Sequence, residues 1–297
     1  MKIDSVSPPD RSGRKYGMTS IITIRHSCES RNPKNEMNIL DKIVADKRKE
    51  VALKKELIPV SQWEASVLFD RKGTSLAQAL RKSNSGIIAE HKRRSPSKQT
   101  INQNTNVGLV AKGYQNAGVC GMSVLTDIKY FGGSLEDLLL ARASAEMPLL
   151  RKEFIIDTYQ LVEAKAHGAD VILLIAAVLT RAEIKTLSEM AKSLGLEVLL
   201  EVHDQEELEK AIMPSLDMLG VNNRNLKTFE VDLDTSRHLA KHIPDDFVKV
   251  SESGISNVEA IKSLRPFGFQ GFLIGENFMK TENPGESAKT FIQNLTA

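Results

Sequence analysis

Ionisable and amide side chains stand at the ends of strand-like apolar runs along this chain. The first run, 87–89, passes directly into Glu90, His91 and Lys92. A lysine can donate a proton, a carboxylate can accept one, and an amide can hold either group in place. The set is therefore suited to acid-base catalysis. The run-end residues that could take part are Glu90, Lys92, Lys152, Glu201, Asn222, Arg224 and Glu252.

Side chains alternate between the two faces of a strand, so Glu90 and Lys92 point the same way, as Leu150 and Lys152 do. Many charges share a partly buried site only when they pair with one another or with a charged substrate. We expect lysines held close together to have lowered pKa values, which would suit a general acid near neutral pH. The alternative is a salt-bridge network that only fills the site, although stability alone rarely requires this mixture.

The elements that must position these residues alternate between strand and helix. Strand-like runs occur at 87–92, 122–126, 148–152, 171–177, 197–202, 219–222, 247–252 and 271–275. Helical periodicity occurs at 107–117, 135–145, 158–167, 181–194, 205–212 and 257–265. The pattern predicts an α/β fold, a closed (β/α)8 TIM barrel with an N-terminal helical extension. Because the C-terminal ends of the strands meet at one mouth, the polar residues would share one site.

An open doubly wound sheet is the main alternative fold. Such sheets usually carry a Gly-x-Gly-x-x-Gly turn for a nucleotide, and the sequence has none. The doublet Gly132-Gly133 is too short for a phosphate cradle of that type. The closed barrel is therefore favoured.

The residues before the first strand form two segments. For residues 1–36, rich in Pro, Ser and Arg, we expect a poorly ordered tail translated from an upstream start, with Met37 as the natural initiator. A targeting segment is the competing hypothesis. Residues 37–297 are expected to form one barrel domain, in which 37–85 is the helical extension. In that extension, apolar residues at helical spacing predict one helix from Asn38, whose charged face, including Lys47, is expected to be solvated, and a second over 75–82.

Composition excludes several function classes. A net charge of +2 with 26% charged residues gives no general case for binding nucleic acid or a membrane. The longest apolar run, 171–179, is far shorter than the ~20 residues of a membrane span. Cys28 and Cys120 cannot build a disulfide framework, and no Cys-x-x-Cys or His-x-x-x-His spacing indicates a metal site. We expect a cytoplasmic protein, with Cys120 as a buried structural thiol.

Glycine-containing loops after the last two strands look suited to an anion. Ser253-Gly254 follows the seventh strand and Gly275-Glu276 follows the eighth. Glycines let backbone N–H groups approach a phosphate closely. The phosphate site of many barrels lies between these two loops, so a phosphorylated small molecule is the expected substrate.

Seven ordered motifs make residues 38–297 resemble indole-3-glycerol phosphate synthases of tryptophan biosynthesis. They are IAEHKRRSPS (88–97), SVLTDIKYFGG (123–133), PLLRKEFI (148–155), LEVH (200–203), GVNNRNL (220–226), SESGI (251–255) and FLIG (272–275). The resemblance implies a carboxy-lyase acting on 1-(2-carboxyphenylamino)-1-deoxy-D-ribulose 5-phosphate. The implied reaction closes a pyrrole ring with loss of carbon dioxide and water. It involves no redox step, so no cofactor is expected.

The resemblance also implies catalytic roles. Lys152 would give a proton to the ketone oxygen as the aromatic carbon attacks it, and Lys92 would lie against the substrate carboxylate and share the acid role. Glu201 would be the base of the later dehydration. Glu90 would orient the lysines, and Asn222 would hold the substrate or the catalytic carboxylates.

The remaining expected contacts bind the substrate. Three apolar side chains would wall the anthranilate ring, a loop lysine would assist, and polar and glycine residues would hold the substrate or its phosphate. These residues are Phe131, Phe154 and Leu226 for the wall, then Lys129, Ser95, Arg224, Ser253, Gly254, Gly275 and Glu276.

His91, Gln99 and His203 lie within or beside these motifs, and the resemblance assigns them no catalytic role. His91 stands where the family more often has an apolar residue, and alternation points it toward the helix layer, so we expect a structural role. Gln99 stands where the family commonly has glycine, which leaves the path of the first loop open. His203 shares the face of Glu201 but lies past the strand end, and we expect it to be structural.

Three other functions fit the sequence less well. A phosphoribosylanthranilate isomerase-like barrel would need a Cys near the first strand end and an Asp opposite, whereas Glu90 and Lys92 stand here. The basic run 92–98 lacks the interleaved aromatic residues of a nucleic-acid patch. An inactive barrel is disfavoured because every expected charged position is filled. We expect a monomer, and association with other enzymes of the tryptophan pathway stays open.

Overall fold

Eight parallel strands close into a barrel in the structure, a computed structural model that describes residues 38–226 and 228–297. Each strand pairs with the next, and β8 returns to β1 with Ile88 opposite Leu273. The barrel prediction is confirmed, while the predicted tail over 1–36 lies outside the described residues. The strands are β1 (Ile87–His91), β2 (Gly121–Leu125), β3 (Leu149–Lys152), β4 (Val171–Ile175), β5 (Glu197–Val202), β6 (Met218–Asn222), β7 (Val248–Glu252) and β8 (Phe269–Ile274).

Helices precede the barrel and fill the connections between its strands. A short 3₁₀ turn, Arg265–Phe267, follows the eleventh helix. The helices are α1 (Ile39–Leu57), α2 (Val60–Glu64), α3 (Leu76–Lys82), α4 (Val107–Ala117), α5 (Ile128–Phe131), α6 (Leu135–Ser144), α7 (Tyr159–Ala166), α8 (Arg181–Ser193), α9 (Gln205–Ala211), α10 (Asp234–Ala240), α11 (Val258–Leu264), α12 (Glu276–Met279) and α13 (Pro284–Thr296).

The helices that the sequence predicted begin and end within a residue or two of the observed bounds. Five helices were not predicted: α2, α5 and α12, which have four or five residues each, and the longer α10 and α13. In α10 only Ser236, Leu239 and Ala240 are buried, which leaves too little apolar periodicity to detect. For α13 a start signal was present, since Asn283 caps the helix and Pro284 takes its first position.

Short polar side chains fix where the loops at the mouth pass into helices. The side chain of each accepts a hydrogen bond from the backbone N–H three residues later, which satisfies a donor that has no partner within the helix. At α8, Thr180 and Glu183 cap each other reciprocally. Helix starts of this kind are capped by Asn106, Asp127, Ser134, Thr180, Asp204 and Asn257.

Strand alternation divides the core into two layers. Ile88 belongs to the cluster inside the barrel, whereas its neighbours Ile87 and Ala89 pack against the helices. Leu150 and Leu199 also belong to the inner cluster. Residues two places further along each strand therefore point into the mouth, which is where the sequence places its ionisable side chains.

The N-terminal extension reaches both ends of the barrel. At the mouth, Ile39, Leu40 and Ile43 of α1 help to line the cavity. At the opposite end, Leu76 and Leu80 of α3 join the inner core cluster and close the barrel.

Between these ends the extension packs along α7. The Trp63 ring meets Tyr159 and His167 edge-on, at centroid distances of 6.4 and 5.2 Å. Further along, Arg71 pairs with Asp170 at 2.5 Å. The segment from α1 to α3 is thus fastened along the height of the barrel. No helix in the described part of the chain is long and apolar enough to cross a membrane.

Helices α4 and α13 meet at two glycines. A Cβ atom on Gly285 would lie 2.6 Å from Gly113 Cα, and a Cβ atom on Gly113 would lie 3.0 Å from Gly285 Cα. Both neighbours are backbone atoms, so no side chain can move aside to make room. Both positions therefore require glycine, because the backbones of α4 and α13 approach each other too closely there for a side chain.

We expect Gly285→Ala to lower the free energy of unfolding by about 1–3 kcal/mol, because the added methyl group forces the two helices apart. Thr290→Ala, on the exposed face of the same helix, should change it by less than about 0.5 kcal/mol. Urea denaturation measures both. A Gly285→Ala protein as stable as the wild type would show that the helices separate at no cost.

Candidate active site

A cavity of about 370 Å³ opens at the C-terminal ends of the strands. Charged side chains from the strand ends form its floor, and apolar side chains from α1 and two loops form one wall. The predicted site residues that line it are Glu90, Lys92, Ser95, Phe131, Lys152, Phe154, Glu201, Asn222, Arg224, Leu226, Ser253, Gly254, Gly275 and Glu276. The structure therefore brings together all of the predicted site residues except Lys129.

Lys129 is placed outside the cavity. Its side chain is 67% exposed, and its Nζ atom pairs with Asp46 of α1 at 2.6 Å. The same Asp46 accepts the Tyr130 hydroxyl. In this position Lys129 fastens the loop after β2 to α1, and the predicted contact with substrate is not supported.

Lys152 stands at the centre of the charged floor. Its Nζ atom is in direct contact with Glu252 Oε2 and lies 3.5 Å from Glu201 Oε2. Lys92 forms a second pair, with Glu90 at 2.5 Å. Each lysine is thus matched to a carboxylate rather than set against the other lysine.

This pairing makes the expectation of a lowered lysine pKa wrong for Lys152. Burial lowers the pKa of its ammonium, but Glu252, Glu201 and Glu90 outweigh burial and raise that pKa above its usual value. An ammonium surrounded by carboxylates holds its proton tightly. Lys152 would therefore give up its proton only to a strongly basic atom, such as an oxygen that is gaining negative charge.

The two carboxylates beside Lys152 differ in pKa. Burial raises the pKa of Glu252, and the nearby charges of Glu201 and Glu90 raise it further; although Lys152 lowers it, the result is about 7. Burial also acts on Glu201, but Lys152, His203 and Asn222 together lower its pKa below the usual range. Paired groups whose pKa values are pushed apart can divide the roles of acid and base. Here Glu201 is the ionised partner and Glu252 the one that can hold a proton near neutral pH.

Asn222 links this floor to the loop after β7. Its Nδ2 atom donates to Glu201 Oε1 at 3.0 Å, while its Oδ1 atom accepts the Ser253 hydroxyl at 2.9 Å and the Arg224 backbone N–H at 3.0 Å. One amide thus fixes the direction of a carboxylate and the position of two loops.

The two glycine loops border the same cavity. Ser253 and Gly254 both have positive φ, 65° and 80°, and a non-glycine residue in this region is typical of ligand sites. At Gly275 a Cβ atom would lie 2.4 Å from Glu90 Oε1, so only glycine lets this loop approach the floor. Glu276 lines the cavity, but its carboxylate is paired with Lys98 of the first loop at 2.6 Å.

An aromatic pair forms the opposite wall. The rings of Phe131 and Phe154 lie 6.0 Å apart at 39°, beside Leu226 and the apolar residues of α1. The cavity therefore offers a flat apolar face and glycine loops suited to an anion, with paired lysines and carboxylates in the floor. Among the described residues, no group of three or more His, Cys, Asp or Glu side chains is arranged to hold a metal.

The sequence matches one protein family over most of its length. The sequence profile described as indole-3-glycerol phosphate synthase matches residues 40–291. The indole-3-glycerol phosphate synthase of Bacteroides thetaiotaomicron is 50% identical over 258 residues, covering 87% of this chain and 99% of that protein. The enzyme of that name from Koribacter versatilis is 41% identical over 264 residues, covering 85% and 98%. This chain belongs to the indole-3-glycerol phosphate synthase family.

Solved structures share the barrel at low identity. The 3-hexulose-6-phosphate synthase of Salmonella typhimurium superimposes with a TM-score of 0.56 at 16% identity, covering 71% of this chain and 98% of that one. KGPDC from Streptococcus mutans gives 0.53 at 14% identity, covering 71% and 99%. These likenesses show the fold alone.

A closed ring of six alternating charges joins α1 to the outer face of β3 in this family member. Its nitrogen–oxygen distances run from 2.6 to 3.8 Å. Two of its members, Arg151 and Glu153, flank Lys152 and point outward while Lys152 points into the cavity. The ring thus fixes the backbone from which Lys152 and Phe154 project. Its members in order are Lys47, Glu153, Arg151, Glu163, Lys54 and Glu50.

Lys47 was predicted on a solvated helix face, and that prediction is wrong. Its side chain is 2% exposed and contacts Glu50, Asp127 and Glu153 at 2.7, 3.1 and 3.1 Å. Burial lowers the pKa of Lys47, but the three carboxylates outweigh it and raise that pKa. Helical spacing carries no signal for this burial, because two of the partners, Asp127 and Glu153, lie on distant loops.

Glu252 and His203 were also underestimated from sequence. Glu252 was only a run-end candidate, yet it contacts Lys152 directly. His203 was expected to be structural, yet its Nε2 atom lies 3.4 Å from Glu201. Alternation places Glu252 on the inner face of β7 and His203 on the same face as Glu201, one residue beyond β5, but it does not indicate which charged side chain each one contacts.

The two departures from the family pattern have local explanations. His91 is buried against the helix layer, as alternation predicted, and burial together with Arg93 lowers its pKa to about 4. Gln99 follows a turn that Ser95 and Lys98 close with two backbone hydrogen bonds, of 2.8 and 3.0 Å. That turn is complete before residue 99, so no glycine is needed there.

Replacing Lys47 with Met should lower the free energy of unfolding by about 3–5 kcal/mol at neutral pH, because Asp127 and Glu153 stay buried without their cation. The difference in free energy of unfolding between Lys47→Met and the wild type should become smaller as pH falls. The pKa of Glu50 is lowered against the effect of burial, chiefly by Lys47, so its contribution is present above the unfolded pKa and is lost as pH drops through the lowered value.

Lys55→Met is the matched control on the same helix. Lys55 is half-exposed and pairs with Asp157 at 2.9 Å, so its loss should cost at most about 1 kcal/mol. Guanidinium unfolding at several pH values measures both variants. If Lys47→Met and Lys55→Met lowered the free energy of unfolding equally, the ring of charges would not be a buried, tightly coupled network.

Proposed function

We propose that this protein is an indole-3-glycerol phosphate synthase, a carboxy-lyase of tryptophan biosynthesis. It converts 1-(2-carboxyphenylamino)-1-deoxy-D-ribulose 5-phosphate to indole-3-glycerol phosphate, with release of carbon dioxide and water. The observation that carries the proposal is the position of Lys152 between Glu201 and Glu252, facing an aromatic wall on one side and glycine loops on the other. One cavity thus contains an acid, a base, an apolar wall for the aromatic ring of the substrate and glycine loops for its phosphate.

The cavity orients the substrate by the chemistry of its two ends. The anthranilate ring lies against Phe131 and Phe154, where apolar area leaves water. The phosphate lies at Ser253, Gly254 and Gly275, whose loops border the far side. The ketone carbon between these ends then falls over the charged floor.

Ring closure uses Lys152 as the acid. The aromatic carbon that bears the carboxylate attacks the ketone carbon, and the ketone oxygen takes a proton from Lys152 as its negative charge develops. The raised pKa keeps this proton on Lys152 until then. Such timing favours protonation of the transition state over protonation of the bound substrate.

Loss of carbon dioxide restores the aromatic ring. Lys92 lies against the substrate carboxylate before that step, and the electron pair of the breaking bond returns to the ring. The apolar wall removes water from the carboxylate, which favours decarboxylation.

Dehydration uses the two glutamates beside Lys152. Glu201 takes a proton from the carbon next to nitrogen, and the hydroxyl leaves as water after gaining a proton from Lys152. Glu252, in contact with Lys152, returns the proton that Lys152 gave up in ring closure. No electron is transferred to or from the protein in any step, so the proposal includes no cofactor.

The assembly and compartment are part of the proposal. We expect a monomer. We place the reaction in the cytoplasm, because a phosphate ester does not cross a bilayer unaided. Sedimentation of the purified protein and fractionation of cells test the two statements.

Lys152→Ala should reduce kcat by about 100-fold or more with a modest change in KM, because it removes the acid of the ring-closing step. Indole fluorescence after addition of the substrate to purified protein, without metal or nucleotide, measures the rate. Lys185→Ala, an exposed lysine of α8, is the control and should leave the rate unchanged. Near-normal turnover in folded Lys152→Ala would remove Lys152 from the acid role, and a wild-type protein that gives no signal would contradict the function.

Glu201→Gln should separate the two halves of the reaction. Without the base, ring closure and decarboxylation continue while dehydration slows, so carbon dioxide should appear ahead of the indole chromophore. Parallel measurement of carbon dioxide and fluorescence in a single turnover detects the lag. Simultaneous appearance of both signals would assign the dehydration base elsewhere.

A further inference from the structure

His203 lies between two carboxylates just past the end of β5. Its Nε2 atom is 3.4 Å from Glu201 Oε1, and its Nδ1 atom is 3.1 Å from Glu207 Oε2. The Nδ1 contact is a hydrogen bond, whereas the Nε2 atom lies at ion-pair distance from Glu201 without hydrogen-bond geometry. Burial lowers the pKa of His203, but the two carboxylates outweigh it and raise that pKa to about 10.

Glu207 is held in place by the start of α9. Its backbone N–H donates to Asp204 Oδ1 at 2.8 Å, which caps the helix. Its own Oε2 atom accepts the backbone N–H of His203 at 2.8 Å. Glu207 is therefore a fixed anchor for the imidazole ring rather than a mobile surface carboxylate.

The two oxygens of Glu201 have different neighbours. Oε1 faces Asn222 Nδ2 at 3.0 Å and His203 Nε2 at 3.4 Å, and neither of these groups reacts in the proposed mechanism. Oε2 faces Lys152 at 3.5 Å. The first oxygen is thus held, and the second is the one that can meet the substrate.

The charge of His203 matters most whenever Lys152 is without its proton. In ring closure, and again when the hydroxyl leaves, Lys152 gives a proton to the substrate and Glu201 loses a positive neighbour until Lys152 is reprotonated. A buried carboxylate in that state tends to bind a proton. A protonated Glu201 could not act as a base. The imidazolium at 3.4 Å stays charged at this stage because Glu207 holds it from the other side.

We propose that His203 is a positioning residue: an imidazolium that holds Glu201 Oε1 and keeps Glu201 ionised, so that Oε2 can take the substrate proton during dehydration. This inference rests on the proposed function. Glu207 belongs to the same arrangement because it anchors the ring. His203 keeps both of its protons throughout, and the proton from the substrate ends on Glu201.

His203→Gln retains an amide near Glu201 but no charge. We expect kcat to fall by about 10- to 100-fold, because the base is less well placed and less often ionised. KM should stay within about 2-fold, since His203 is not part of the cavity lining. The acidic limb of the kcat–pH profile should move upward by about one pH unit or more, because Glu201 binds a proton more readily without the imidazolium.

Glu207→Gln tests the anchor. Its loss lowers the pKa of His203, so activity should fall on the alkaline side at a pH where the wild type is still active. Glu209→Gln makes the same chemical change at an exposed position of α9 and should leave the pH profile unchanged. The charged groups that contact His203 in the described structure are Glu201 and Glu207, and Lys152 lies beyond Glu201.

Nitrogen NMR of the imidazole reads the charge of His203 without turnover, and should show both nitrogens protonated at about pH 8. A neutral His203 at that pH would overturn the inference even in an active enzyme. So would a His203→Gln protein that melts at a lower temperature but keeps the wild-type kcat and pH profile, since that result assigns only a structural role. A wild-type protein that makes no indole product would instead overturn the proposed function.

Discussion

Three carboxylates, those of Glu90, Glu201 and Glu252, are almost fully withdrawn from water at the barrel mouth. Burial of this kind is unfavourable unless cations or hydrogen-bond donors compensate each charge. Lys152 lies against two of them and Lys92 against the third. The same pairs that make the buried charges tolerable also set which group holds a proton, so folding and acid-base chemistry use the same contacts.

Strand β3 carries this constraint beyond the cavity. Its inward residue, Lys152, serves the floor, while its outward neighbour Arg151 joins the ring of charges that holds α1. Helix α1, which lines part of the cavity, and the central lysine are consequently attached to opposite faces of one strand. Displacement of α1 would disturb the backbone of β3, a strand of four residues, and would therefore shift Lys152. The position of α1 and the position of the catalytic acid are coupled in this way.

The barrel and most of its mouth followed from the sequence because both are local patterns. Alternation along single strands sufficed to place Glu90, Lys152 and Glu201 in one cavity. Contacts between residues far apart in the sequence could not be predicted in this way. The carboxylates of Asp127 and Glu153, which surround Lys47, come from other segments of the chain. Lys129 likewise pairs with Asp46, a residue of α1, and therefore lies outside the cavity. The sign of the Lys152 pKa shift was missed for the same reason, since it depends on which side chains face it.

The fastening of the extension along α7 has a consequence for the order of folding. Its partners lie far along the chain: Lys54 meets Glu163 across 109 residues, and Ser66 meets Ala166 across 100. The Ser75 hydroxyl donates a hydrogen bond to Glu197, 122 residues later in the sequence. Contacts of such separation form slowly because a large loop must close first. During synthesis the extension emerges from the ribosome before the strands that it contacts, and it docks late, after the middle strands have formed.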